Sequence, residues 1–262
     1  MPKPFALFDC NCMLGRAPVR QPGAFFAVDG LLEEMDRLGI EQALVYSSIA
    51  QHYDPATGNR LLLEELAAAG RPERLHACWV LLPHATHEMG VDSAEVLVER
   101  MLAAGVRAAR LFPTQHRFSL SDWSAGPLLR ALERHRVPVF IDFGNVHWSD
   151  RNTDWDALYH LLKAHARLPV VLVHEGIGSD RYLYPLMEAF PDLLLETSYY
   201  QPHRGIEAIC RRFGHERLLF GTGMPVWAPG PAISMLAYAD ISDDARRAIG
   251  RENLRRLLGA VS

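Results

Sequence analysis

The chain has 262 residues, 49% hydrophobic and 22% charged, with a formal net charge of −4. This composition is ordinary for a soluble globular protein, and a chain of this length buries about three quarters of its unfolded surface. A sequence pI near 6.3 gives no basic excess for a nucleic-acid partner, and no run of about 18 apolar residues offers a membrane span.

The opening MPKPFALFD has too short an apolar run for a signal peptide. Four cysteines (10, 12, 78 and 210) without a C-x-x-C spacing fit a cytoplasmic protein with free thiols. Along the chain, FALFDC is the first of eight short apolar or β-branched runs. QALVYSS (42–48), LHACWVL (75–81), VRAARLF (106–112) and PVFIDF (138–143) follow, then PVVLVH (169–174), LLLETS (193–198) and RLLFGT (217–222). Helical patterns lie between them. Leu31, Leu32, Met35 and Leu38 share one helix face, as do Ala94, Val96, Leu97, Met101 and Leu102, and Leu128, Leu129 and Leu132.

Gly39, Gly70 and Gly105 fall where those helices should end, and Pro138 and Pro169 mark strand starts. The segment WSDRNTDWD (148–156) reads as a capped helix start. ISDDARRAIGRENLRRLLG adds a closing helix capped by Ser242 with Asp243 and Asp244. There is no linker or break in composition, so residues 1–262 are expected to form one α/β domain. Eight strands with a helix after nearly every one predict a (β/α)8 TIM barrel with an extra C-terminal helix. An open doubly wound sheet is the rival, but GRAPVRQPG after the first strand is not its G-x-G-x-x-G phosphate loop.

In such a barrel the reactive groups sit at the C-terminal strand ends. Strand one offers Asp9 and Asn11, strand two Ser47, Ser48, His52 and Tyr53, strand three Trp79, and strand four Arg110 and His116. Strand five brings Asp142, Asn145, His147 and Trp148; strand six His174 and Glu175; strand seven Glu196, Ser198, Tyr199 and Tyr200; strand eight Thr222, Gly223 and Met224. Side chains alternate across a strand, so Arg110, Asp142 and His174 can form one row over neighbouring strands four, five and six. An Asp–His pair can act as general base and acid, and the guanidinium can hold an anion. The same three residues also make a plain buried ion pair beside a hydrogen-bonded histidine. Asn11, Ser48, His52, His116, Glu175, Glu196 and Tyr200 are the candidates for substrate contact. His84, His87, His135, His160, His165 and His215 fall in helices or their loops, where a solvated histidine is expected. Ser47 and Ser48 lack a G-x-S-x-G elbow, which argues against a serine nucleophile.

The stretches FDCNCMLG, LLEEMDRLGIEQALVY, GVRAARLFP, VPVFIDFGN, LPVVLVHEGIG, LLLETSYY and RLLFGTGMP together resemble the amidohydrolase superfamily, in its amidohydrolase-related branch of TIM-barrel hydrolases and decarboxylases. The resemblance covers nearly the whole chain. It implies a divalent metal, such as zinc, on an H-x-H pair of strand one, with histidines on strands five and six and an aspartate on strand eight. Here those places hold Asn11, Met13, Asp142, His174 and Gly223. Stable zinc sites take three or four protein ligands, so the resemblance implies a subgroup without most of its metal ligands. Cys10 and Cys12 are expected to point away from Asn11, toward the helices.

Three functions stand open. One is metal-independent acid/base chemistry (a hydrolase or lyase step) by Asp142 and His174 with Arg110 on a small anionic or ring-containing metabolite. The second is a metal-dependent hydrolase or decarboxylase with a reduced ligand set. The third is a non-catalytic ligand- or protein-binding barrel. A homo-oligomer is a further expectation, with APVRQPGAFF as an interface segment.

Overall fold

A computed structural model describes residues 6–18, 21–83, 86–147 and 149–262. His84, Trp148 and part of the APVRQPGAFF segment lie outside those residues. Eight parallel strands alternate with helices: β1 (Leu7–Leu14), β2 (Ile40–Ser47), β3 (Leu75–Ala77 with Trp79–Val80), β4 (Ala109–Leu111), β5 (Val139–Asp142), β6 (Val170–Val173), β7 (Leu193–Glu196) and β8 (Leu218–Leu219).

The sheet closes on itself. Cys78 bridges the two pieces of β3, its N–H donating to Val45 of β2 at 2.8 Å, while Trp79 N donates to Ala108 at 3.1 Å. At the other seam Cys10 N donates to Phe220 O at 2.9 Å, Gly223 N to Asn11 O at 3.0 Å and Met13 N to Met224 O at 2.9 Å. These bonds join β1 to the chain leaving β8, so the architecture is the expected TIM barrel.

Alternation along the strands sorts the core into two layers. Phe8, Leu44, Val80, Ala108, Phe140 and Val171 plug the barrel interior. Leu7, Ala43, Ala109, Ile141 and Leu172 face outward onto helix residues such as Leu31, Met35 and Leu97. Cys12 packs in the outer layer as expected, but Cys10 packs inside. The reason is a register shift of β1 against β2 between Asp9 and Cys12, which breaks the simple two-residue alternation.

Several strands are shorter than their apolar runs, and carboxylates at their ends account for it. Asp142 Oδ1 accepts from Gly144 N at 2.9 Å, and Glu196 Oε1 accepts from Ser198 N at 2.5 Å. Each takes a backbone donor two residues on and ends the ladder there. Helix ends follow the sequence more closely: α1 (Val28–Leu38) stops at Gly39 in the left-handed region, and α3 (Pro55–Ala69), after the short α2 (Ser48–His52), stops likewise at Gly70. After α4 (Ala94–Ala103) and α5 (Asp122–Arg134), α6 (Trp155–Ala164) starts at its predicted acidic cap, Asp154 accepting from Ala157 N at 2.9 Å. His165 at its far end is buried and bonded to Glu133 at 3.2 Å, not solvated as expected, because the chain folds back there into β6.

The tail is capped by Ser242 as read, but its helix is not continuous. Asp243–Arg247 and Asn253–Gly259 flank a π turn at Ala248–Glu252. There the Ile249 carbonyl leaves the helical ladder to accept from Phe220 N at 3.1 Å. Asn253 then donates to the carbonyls of His215 and Leu218, pinning the tail under β8.

Asn59 on α3 locks the helix layer to the barrel, since its amide accepts from Val80 N at 3.0 Å and donates to Val80 O at 2.8 Å. Asn59→Ala leaves two buried backbone groups unpaired. Urea unfolding is expected to show a loss of about 2–4 kcal/mol.

Candidate active site

The polar residues at the C-terminal strand ends form one buried network. Arg110, Asp142 and His174 do fall in a row. Arg110 Nη2 donates to Asp142 Oδ2 at 2.6 Å, and the same oxygen lies 3.1 Å from His174 Nδ1. Asn11 closes the ring from β1. Its Oδ1 accepts from Arg110 Nη1 at 2.8 Å, and its Nδ2 reaches His174 Nε2 at 3.1 Å and Glu196 Oε2 at 3.2 Å. Ser198 Oγ donates to the same Glu196 oxygen at 2.7 Å.

This pattern fixes the tautomer. The Asn11 amide hydrogen points at Nε2, so Nε2 accepts and Nδ1–H donates to Asp142. His174 itself has φ +58, a conformation that turns its ring back over the strand ends. Burial works against an ionised Asp142, but the facing His174 and Arg110 outweigh it and hold the carboxyl below its usual range. Burial likewise opposes the charge on Arg110, yet Tyr46 and Asp142 push its pKa upward, and its guanidinium lies 4.1 Å from the Tyr46 ring centroid. Glu196 is pushed up by burial, against the pull of His174 and Ser198.

Arg110 is 1% exposed and both terminal nitrogens are taken. The expectation that it grips a substrate anion is therefore corrected: it braces Asp142 and Asn11 from below. Asp9 is a second brace. Its carboxylate accepts from Asn11 N, Thr222 N and Thr222 Oγ1, which ties β1 to the loop after β8.

Other candidates fall elsewhere. His52 and His116 meet each other's loops through Gln51 and Gln115, with His116 Nε2 donating to Gln51 O at 2.7 Å. No hydrogen bond among the described residues links them to His174. Ser48 is fully buried under Gly15. Tyr200 is corrected from the mouth to the wall, because it is fully buried and its hydroxyl donates to Asp180 at 2.6 Å, at the start of α7 (Asp180–Ala189).

Glu175 faces a cleft beside the network, lined also by Tyr199, Tyr182, Arg151 and Asn145. Its Oε1 accepts from Thr153 Oγ1 at 2.5 Å, and burial raises its pKa to about 7. Two contributors escaped the sequence reading. Thr153 sits just before a helix and resembles any capping residue. Trp227 lies beyond the last strand, yet its ring is 6.2 Å from that of His174 and 5.1 Å from that of Tyr199.

A divalent metal at the five places named by the resemblance does not fit these residues. Met13 is packed in the apolar barrel lining, and Gly223 has no side chain. A Cβ there would lie 2.3 Å from Trp227 Cδ1. The cationic Arg110 is bonded to two of the remaining donors. Among the described residues no group of three or more His, Cys, Asp and Glu is placed to hold a metal ion.

A family model described as amidohydrolase matches residues 18–260. The chain belongs to the amidohydrolase family. Solved structures agree in fold. An uncharacterised TIM-barrel protein from Bordetella bronchiseptica superposes with a TM-score of 0.76 at 19% identity, over 98% of this chain and 99% of its own. The 5-carboxyvanillate decarboxylase of Sphingomonas paucimobilis gives 0.74 at 15% identity, over 99% and 100%. The dihydroxybenzoic acid decarboxylase of Polaromonas sp. JS666, with bound manganese, gives 0.76 at 15%, over 97% of both chains. No curated protein matches the chain in sequence. No helix among the described residues is long and apolar enough to cross a membrane.

Two measurements follow from this amidohydrolase site. Arg110→Met strands the buried Asp142 carboxylate, and an unfolding experiment is expected to show a loss of about 3–5 kcal/mol. Glu175 differs in sign from Asp142. The folded chain keeps its proton up to about pH 7, whereas the unfolded chain releases it near 4.5. That stabilisation is full below pH 4.5 and is lost as pH rises through 7. Glu175→Gln should remove this slope, so the stability of wild type relative to the variant falls by about 2–3 kcal/mol from pH 4.5 to 7.5.

Proposed function

We propose that this amidohydrolase is an enzyme that moves a proton at His174 of a small anionic, ring-bearing metabolite, without the divalent metal bound by a relative. One observation carries the reading: an imidazole at the mouth of the barrel whose Nδ1 lies 3.1 Å from Asp142 Oδ2 and whose Nε2 lies 3.1 Å from the Asn11 amide. Asp142 orients the ring and stabilises the imidazolium that forms, while Arg110 holds Asp142 ionised. Asn11 guards Nε2 in the resting site. A substrate entering past Tyr199 takes over that contact, and the Asn11 amide keeps its bonds to Glu196 and Ser198.

The cleft beside Glu175 is about 30 Å³, so a flat ring reaches His174 only by displacing Tyr199. Tyr199 lines that cleft and also meets the His174 ring edge-on at 6.4 Å, and Arg151 supplies positive charge on its wall. Glu175, with a pKa near neutrality, is a second proton donor on the same wall. Two of the structures with the same fold are, by name, decarboxylases of a carboxyvanillate and a dihydroxybenzoic acid, which favours a lyase step. In that step His174 Nε2 first takes the proton of a ring hydroxyl on the substrate, then the bond from ring carbon to carboxylate breaks and CO2 leaves. The electron pair stays on the ring carbon, which takes the proton from imidazolium. A hydrolytic step would use the same pair in the other order, with Nε2 taking a proton from water.

CO2 release from a panel of hydroxybenzoates and carboxyvanillate, before and after exhaustive dialysis against chelator, tests the reading. Turnover should survive dialysis and drop at least 100-fold in His174→Gln and in Asp142→Asn, a typical loss for a general acid–base group. Turnover restored only by added manganese or zinc would instead favour a metal-dependent enzyme with a reduced ligand set. Equal turnover in wild type and both variants would remove His174 from the chemistry.

A further inference from the structure

The opposite pole of the barrel, formed by the N-terminal strand ends, carries a cavity of about 710 Å³. That size falls in the range of small-molecule sites. Its floor is the edge of the interior plug, Phe8 and Leu44, each 2% exposed, and its walls come from Leu66 of α3, Val106 before β4 and Leu258 of the tail helix. The cavity is therefore a break in the helix layer that opens onto the barrel's apolar inside, at the end remote from His174.

Its rim is cationic. Arg107 and Arg255 both line it, and both are exposed. Arg107 Nη1 reaches only the Leu258 carbonyl, at 3.5 Å, and Arg255 Nε donates to Gln42 Oε1 at 3.2 Å. Among the described residues neither has an acidic partner, whereas Arg251 is paired with Glu41 at 3.0 Å. His76 sits between rim and floor, its ring tilted against Phe8 at 5.1 Å between centroids and bonded to Gln42 at 3.1 Å. Burial and the charge of Arg255 together keep this imidazole neutral, so it adds a polar contact without adding charge.

We infer that this cavity is a second ligand site, for an amphipathic monoanion whose carboxylate meets Arg107 and Arg255 and whose apolar body lies on Phe8, Leu44 and Leu66. The charge pattern decides the class. Two arginines without acidic partners favour an anion at the rim, while an apolar floor disfavours a small hydrated anion such as phosphate and favours one with a hydrocarbon or ring body. The site is independent of the chemistry proposed at the other pole.

Isothermal titration of the full chain with sodium octanoate tests it, with octan-1-ol and inorganic phosphate as controls. One octanoate per chain is expected, at least tenfold tighter than octan-1-ol, with no measurable phosphate binding. The double variant Arg107→Ala/Arg255→Ala should weaken octanoate at least tenfold. Ala67→Trp, an exposed lining position, should abolish it by filling the cavity. His174→Gln should leave it unchanged. All three substitutions outside the network sit on exposed positions, and an unchanged thermal midpoint verifies their fold. No saturable octanoate binding, equal affinity in the arginine variant, or loss of binding in His174→Gln would each overturn the inference.

Discussion

The guanidinium of Arg110 is the fixed point of this barrel. It lies at the centre of the sheet, against the Tyr46 and Phe112 rings, and holds Asn11 of β1 and Asp142 of β5 across the interior. A charge so placed costs several kcal/mol to desolvate unless carboxylate and amide partners stay within reach. That requirement propagates outward. Asp142 must be ionised, His174 must then present Nδ1–H to it, and Asn11 must turn its oxygen down and its amide up toward His174 and Glu196. Orientation of every polar group in the site thus follows from one buried cation. The same cation explains the poor fit of a divalent metal, which would have to share Asp142 and Asn11 with it against like-charge repulsion.

The carboxylates of the site also shape the backbone. Asp9, Asp142 and Glu196 each take an N–H two residues downstream with one oxygen and spend the other on the network. Asp142 and Glu196 are therefore both strand ends and components of the site, while Asp9 sits within β1 where its register against β2 shifts. Losing one would lengthen or fray a strand as well as remove a charge. Structural and chemical roles are therefore not separable at these positions by a stability measurement alone.

The barrel was legible because its determinants are local: apolar runs at regular spacing, glycines at helix ends, prolines at strand starts. Arg110 and Asp142 were legible for a related reason, since strand parity places them with Ala108 and Phe140 on the inner face. Parity puts His174 with the outward-facing Leu172, and it joins the row only through its left-handed backbone at φ +58. Parity failed where the ladder is irregular. Cys10 turned inward because β1 slips against β2 after Asp9. The π turn at Ala248–Glu252 was hidden in a sequence with ordinary helical pattern, because it is caused by a distant donor, Phe220 N. Tyr199 and Tyr200, named together at the end of β7, separate: Tyr199 meets His174 while Tyr200 is buried in the wall, because no strand parity applies where the chain leaves β7.

Trp227 and Tyr199 show what the sequence hides best, a cover assembled from two glycines. A Cβ at Gly223 would meet Trp227 Cδ1 at 2.3 Å, and one at Gly176 would meet Tyr199 Cε1 at 3.0 Å. Only because both positions lack side chains can the two rings lie down at the strand ends, in contact with each other and with His174. The result is a histidine only 7% exposed at the C-terminal end of the barrel. Neither ring is hydrogen-bonded to the network, and Tyr199 and Trp227 are both half-buried, so displacing them costs packing but breaks no buried polar pair. Access to His174 is thus set by aromatic packing, while its chemistry is set by the ion pair beneath. Gly223, where the family resemblance expects a carboxylate, serves the cover instead of the reaction.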